Sequence, residues 1–161
     1  MKTLTFLILL VVTLSGCKKP VCNTPPLALV LRIHDANNID LLSPQVLNKF
    51  SDSVALYYNN GQSGLDTLKT YISQHTDADN KTSYQLNSPT IGYISSAGTK
   101  TFYLRRSHTL IDTIYADYAY NHPSACQSIG LNTIKFNGLL LNEFNDKTGY
   151  YFQAIGKDPV K

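Results

Sequence analysis

Apolar residues recur at every second position between turn signals, and that pattern constrains this chain more than any other. Leu27, Leu29, Leu31 and Ile33 share one parity, and Ala28, Val30, Arg32 and His34 take the other. A period of two is the signature of a strand with one face buried, here with the leucines inward. It returns in Val54, Leu56 and Tyr58 against Ser53, Ala55 and Tyr57, and along Leu110, Asp112, Ile114, Ala116, Tyr118 and Tyr120. Thr101–Arg106, Thr133–Phe136, Leu139–Leu141 and Tyr150–Ile155 read as further strands, with shorter pieces expected at 65–73, Tyr84–Leu86 and Ile91–Ile94. The punctuation is Asp35-Ala36-Asn37-Asn38, Asn59-Asn60-Gly61, Ser95-Ser96-Ala97-Gly98, Ser107-His108 and Asn137-Gly138. The last of these is the strongest two-residue hairpin signal a sequence can carry. Ser43-Pro44 opens a short helical turn running to Phe50, with Pro at its first position. Residues 74–82 and 121–130 read as loops.

About seven to nine short strands joined by such turns describe an all-β fold, an immunoglobulin-like antiparallel sandwich, with a small β-barrel as the alternative. Composition agrees. Glu143 is the only glutamate and charged residues make up 16% of the chain, so the stock that wets the outer faces of long helices is missing. Thr, Tyr, Ile and Val suit a pleated surface instead.

Residues 1–16 read as an export signal: Lys2, an apolar run from Leu4 to Leu14, then Leu14-Ser15-Gly16 before Cys17. A cysteine directly after Leu-Ser-Gly matches the bacterial lipobox, so lipidation is expected at Cys17. Residues 17–25 then form a tether and 26–161 a single β-sandwich domain. Each buried methylene contributes about 0.8 kcal/mol, so two or three acyl chains hold a protein durably to a bilayer. Removing residues 1–16 from a chain of 161 leaves 145, enough for one core.

With Cys17 lipidated, Cys22 and Cys126 remain as a candidate disulfide in an oxidising compartment, the alternative being two separate thiols. The bridge would close a loop of about 100 residues, worth roughly 4–5 kcal/mol on the chain-entropy model. A formal charge of +3, or +2 without Lys2, gives no basic block for nucleic acid.

Sites for chemistry are sparse. Gly61-Gln62-Ser63-Gly64 lacks the spacing of a nucleophile elbow. His34, Asp35 and Asp40 could gather as a metal or acid–base cluster, with His108 and Asp112 as further members, but aspartates in turns commonly hold backbone N–H groups. His75 and His122 complete the four histidines and fit no ligand spacing. Asp77-Ala78-Asp79-Asn80 starts like a calcium loop, then departs from it at Lys81 and lacks the required glycine. No metal, cofactor or catalytic residue is therefore expected. Tyr57, Tyr71, Tyr103 and Tyr115 sit opposite the apolar parity of their strands. Such a row stacks on sugar rings or anchors a protein partner; sheet propensity accounts for it equally well. Ser53, Thr67 and Thr113 each follow Asp and precede an apolar residue, the triplet associated with O-glycosylation in Bacteroidota.

The lipobox, Leu31-Arg32-Ile33-His34-Asp35 running into Ile39-Asp40-Leu41-Leu42-Ser43-Pro44, and Ile134-Lys135-Phe136-Asn137-Gly138 before a tyrosine-rich last strand together resemble the small lipoproteins of Bacteroidota. The resemblance implies an immunoglobulin- or transthyretin-like sandwich and carries over no functional residues. Lys18-Lys19-Pro20 stands where surface-displayed members have an acidic run, which favours the periplasmic face of the outer membrane. The expectation is a membrane-anchored lipoprotein with a non-catalytic binding or structural role, its partner an envelope protein or a glycan. The alternatives are a small periplasmic metal-dependent hydrolase and a glycan-binding module using exposed tyrosines.

Overall fold

The computed structural model describes residues 26–47, 54–62, 64–77, 79–107, 109–121, 128–146 and 149–156. Its elements are β1 (Leu29–His34), α1 (Pro44–Leu47), β2 (Ala55–Asn59), β3 (Leu65–Leu68), β4 (Tyr71–Thr76), β5 (Thr82–Ser88), α2 (Ile91–Ser96), β6 (Thr101–Arg105), β7 (Ile111–Asn121), β8 (Ser128–Phe136), β9 (Leu139–Leu140), β10 (Glu143–Asp146) and β11 (Gly149–Ile155). The strands form two sheets, ordered β10-β11-β1-β5-β4 and β3-β2-β6-β7-β8-β9. The fold is a β-sandwich; its sheets do not close into a barrel.

Residues of the expected inward parity meet between the sheets. Leu29, Leu31 and Ile33 of β1, Leu86 of β5 and Phe152 and Ala154 of β11 face Leu56, Phe102, Leu104, Ile114, Ala116, Ile134 and Phe136 of the second sheet. Burying a side chain of this size is worth about 1.5–3 kcal/mol, so this layer supplies most of the driving force. At each side of the sandwich the chain crosses from one sheet to the other through two residues, Lys69-Thr70 between β3 and β4 and Leu141-Asn142 between β9 and β10. The edges are therefore short corners, which limits unpaired backbone.

Several expectations need correction. Residues 74–82 and 121–130 are not wholly loop, since β4 runs to Thr76, β5 starts at Thr82, β7 runs to Asn121 and β8 starts at Ser128. Leu27, expected inward, lies ahead of β1 and is exposed. The sandwich is not wholly antiparallel: β1 pairs with β11 in parallel, Leu31 opposite Phe152 and Ile33 opposite Ala154. A parallel pair needs a long connection, and the first and last strands have the rest of the domain between them. The stretch at 65–73 is not one strand, because the corner at Lys69-Thr70 divides it between sheets. Ile91–Ile94 is helix, not strand: Ile91, Gly92 and Ser95 are buried, a helical spacing that a four-residue apolar run cannot reveal alone. One strand was not expected, β10, which pairs Glu143 with Phe152 and Asn145 with Tyr150.

Turn chemistry follows the sequence. Asn137 and Gly138 both have positive φ, 49° and 83°, as a primed hairpin turn between β8 and β9 requires. The domain is entered at Pro26, which is buried against α2. A Cβ on Gly92 would lie 2.6 Å from Pro26 Cβ and 3.2 Å from Tyr118 Cδ1, so only glycine admits this approach.

Candidate functional site

The second sheet's outward parity carries the site. Since Leu56, Phe102, Leu104 and Ile114 point inward, Tyr57, Tyr103, Arg105, Ile111, Thr113 and Tyr115 point to solvent. Register then sets neighbours. Tyr57 lies opposite Tyr103, and Tyr103 opposite Thr113. Tyr57 also lies opposite Thr67, so one transverse row reads Thr67, Tyr57, Tyr103, Thr113. In the next row Tyr115 lies between Thr101 and Lys135.

A shallow groove of about 450 Å³ crosses this face, lined by Tyr57, Asn59, Leu65, Tyr103, Arg105 and Ile111. Tyr103 is 36% exposed, Leu65 and Ile111 58% each. The groove adjoins a hollow of about 460 Å³ at the β2–β3 turn, which shares Asn59 and Leu65 and adds Gly61, Gln62 and Gly64. Asn59 Oδ1 accepts the Gly61 N–H at 2.8 Å, leaving the amide NH₂ as a donor beside the tyrosines. Two cations lie over the rings: Arg105 is 5.2 Å from the Tyr57 centroid and Lys135 is 5.7 Å from that of Tyr115. The arrangement combines flat aromatic area, amides at one end and positive charge. It can hold a planar or ring-shaped polar ligand against the sheet.

The fourth tyrosine of the expected row is elsewhere. Tyr71 is exposed on β4 in the other sheet, opposite Asn87. On that sheet's outer face Arg32 lies 3.5 Å above the Tyr151 ring, which stacks on Phe144 at 5.6 Å. In the amide orientation that satisfies both groups, Gln85 Oε1 accepts from Arg32 Nε and Nη2 at 2.9 and 2.7 Å.

The structure brings His34 and Asp40 opposite each other in an isolated β-bridge, but the aspartate carboxylates among the candidates carry structural duties. Asp35 Oδ1 accepts the N–H groups of Asn37 and Ile39 at 2.8 and 2.7 Å. Asp40 accepts those of Leu42 and Tyr84, the second tying the loop after β1 to β5. Asp112 Oδ2 accepts from Arg106 Nε at 2.7 Å and its Oδ1 from Asn137 Nδ2 at 2.8 Å, with both charged side chains 2% exposed. His34 is half-buried, and its Nδ1 has no hydrogen-bond partner. Among the described residues no three His, Cys, Asp or Glu side chains are placed to share a metal ion. The calcium-like start at Asp77 is a turn: Asp77 Oδ1 accepts the Asp79 and Lys81 N–H groups at 3.0 and 2.8 Å.

Of the expected modification sites, Thr67 is exposed and Thr113 half-buried, both in the tyrosine row. Cys17, Cys22, Cys126, Ser53, Ser63, His108 and His122 lie outside the described residues. No helix among the described residues is long and apolar enough to cross a membrane.

Sequence reasoning missed Arg105, Asn59 and Ile111. The signal was present, because each is two residues along its strand from Tyr103, Tyr57 or Thr113 and so shares that face. No family model matches the chain, and no curated protein or solved structure is similar to it.

Proposed function

We propose that this chain is a lipid-anchored envelope protein whose sandwich binds a glycan, without chemistry, through the tyrosine face of its six-stranded sheet. The observation that carries this is Tyr57 beside Tyr103 on the solvent side of central strands, over a groove flanked by the Asn59 and Gln62 amides. Rings lying on a rigid sheet offer stacking area at little entropic cost, and side-chain amides supply hydrogen bonds that orient hydroxyls. The anchor rests on Lys2, the apolar run and Cys17 after Leu-Ser-Gly.

The test is affinity electrophoresis of the full chain, in a neutral detergent, through gels containing neutral or acidic polysaccharides. Retardation by at least one polysaccharide, abolished in Tyr103→Ala and weakened in Tyr57→Ala, is the expected result. Each ring contributes about 0.5–1.5 kcal/mol beyond the area it buries. Unretarded migration across the whole panel, or retardation that both alanine variants retain in full, refutes the glycan reading.

A further inference from the structure

Two arginines stack on tyrosines in this protein, and their surroundings differ. Arg32 is buried and has the Gln85 carbonyl oxygen as acceptor. Arg105 is half-buried over Tyr57, its Nε is shielded from solvent, and it has no hydrogen-bond or ion-pair partner among the described residues. Asp117, on the same face but six positions along β7 from Ile111, the residue opposite Arg105, is engaged by Lys100 at 2.7 Å. Lys135 lies over Tyr115, with Asp117 diagonal to it on the same face. Among the described residues no carboxylate pairs with Arg105, and a guanidinium with an N–H left unsatisfied gains from an acceptor that a ligand brings to its open edge.

We infer that the glycan bound by this face is acidic, with a uronate carboxylate received by Arg105; this rests on the glycan reading above. The chemistry fits at each point. Stacking on Tyr57 fixes the plane of the guanidinium, which presents two parallel N–H donors to a planar carboxylate. Tyr103, the exposed ring beside it, takes the apolar face of the same or the adjoining sugar. The Asn59 NH₂ and the Gln62 amide lie further along the groove and meet hydroxyls. Arg105 and Lys135 are two strands apart and four positions apart along them, roughly 16 Å between their Cα atoms from standard strand spacing. A short oligosaccharide bearing carboxylates on separate residues can therefore reach both cations, whereas one sugar cannot.

The test is titration calorimetry of the full chain in neutral detergent with a galacturonate hexamer and with a neutral galactose hexamer. At about 50 mM salt the acidic hexamer is expected to bind at least about tenfold tighter, the advantage shrinking toward 0.5 M salt as the charges are screened. Arg105→Gln should reduce acidic binding about tenfold and leave neutral binding within about twofold, with Arg105→Lys in between. A thermal melt of Arg105→Gln close to that of the parent shows that the fold is intact. Equal affinities for the two hexamers, or acidic binding unchanged in Arg105→Gln, overturns the charge preference while the glycan reading stands. Binding of neither hexamer at millimolar concentration removes both.

Discussion

At the scale of single residues, aspartates bear most of the structural load that sequence motifs can mistake for chemistry. Asp35 and Asp77 build the same loop. Each carboxylate accepts N–H groups two and four residues on, each residue closes its turn to the residue four on, and each turn has an asparagine at positive φ, Asn38 at 64° and Asn80 at 59°. Asparagine tolerates that conformation better than most residues. Asp112 is the costly one to change. Asp112→Ala removes the carboxylate that the buried Arg106 Nε donates to and should lower stability by about 3–5 kcal/mol in urea unfolding. Replacing both partners, Arg106→Met with Asp112→Leu, should cost clearly less than the single change. A second prediction concerns pH. Burial, reinforced by Tyr150, pushes the Tyr118 phenol above its ordinary value, and burial with Glu143 nearby does the same for Tyr150. In the unfolded chain both ionise near pH 10, while the folded protein holds their protons. Stability is therefore fully present below about pH 10 and falls as pH rises beyond it. Melting temperatures measured from pH 8 to 11 should show that fall, with a shallower slope in Tyr118→Phe.

Elements are set by side chains that reach between them. β7 shifts register against β8 between Asp117 and Tyr118, which frees backbone groups in a buried layer. Ser95 of α2 supplies the partners: its hydroxyl donates to the Ala116 carbonyl at 2.6 Å and accepts the Tyr118 N–H at 2.8 Å. Ser95→Ala leaves both unsatisfied and should lower stability by about 1–3 kcal/mol, read as a shift of the urea midpoint. Hydrogen exchange at Tyr118 N–H should accelerate in the same variant. This helix is the element least legible from sequence. Residues 91–94 are too short and too apolar for periodicity to separate helix from strand, and the partner that decides the matter lies 23 residues away at Tyr118. The β8–β9 hairpin is the opposite case. Asn137 and Gly138 carry the required positive φ in their own chemistry, so the turn is readable locally.

For the whole molecule, the two predictions concern its attachment and closure. Cys17→Ser should move the protein from the detergent phase to the aqueous phase on phase separation; unchanged partitioning would sink the anchor. A bridge between Cys22 and Cys126 should give faster migration on non-reducing gels, lost in Cys126→Ser. The sequence alone determined which parity of a strand faces inward, because side chains alternate along it: Leu29, Leu31 and Ile33, or Phe102 and Leu104, are core. Leu27 and Tyr120, of inward parity but at or beyond the strand ends, are exposed. It likewise determined that Tyr57, Tyr71, Tyr103 and Tyr115 turn away from that core. Neighbourhood was decided by tertiary structure. Parity says nothing about which sheet a strand joins, so the corner at Lys69-Thr70 sent Tyr71 to one face while pairing brought Tyr57, Tyr103 and Arg105 together on the other. A groove belongs to strand order, and strand order follows from long-range packing that no local pattern encodes.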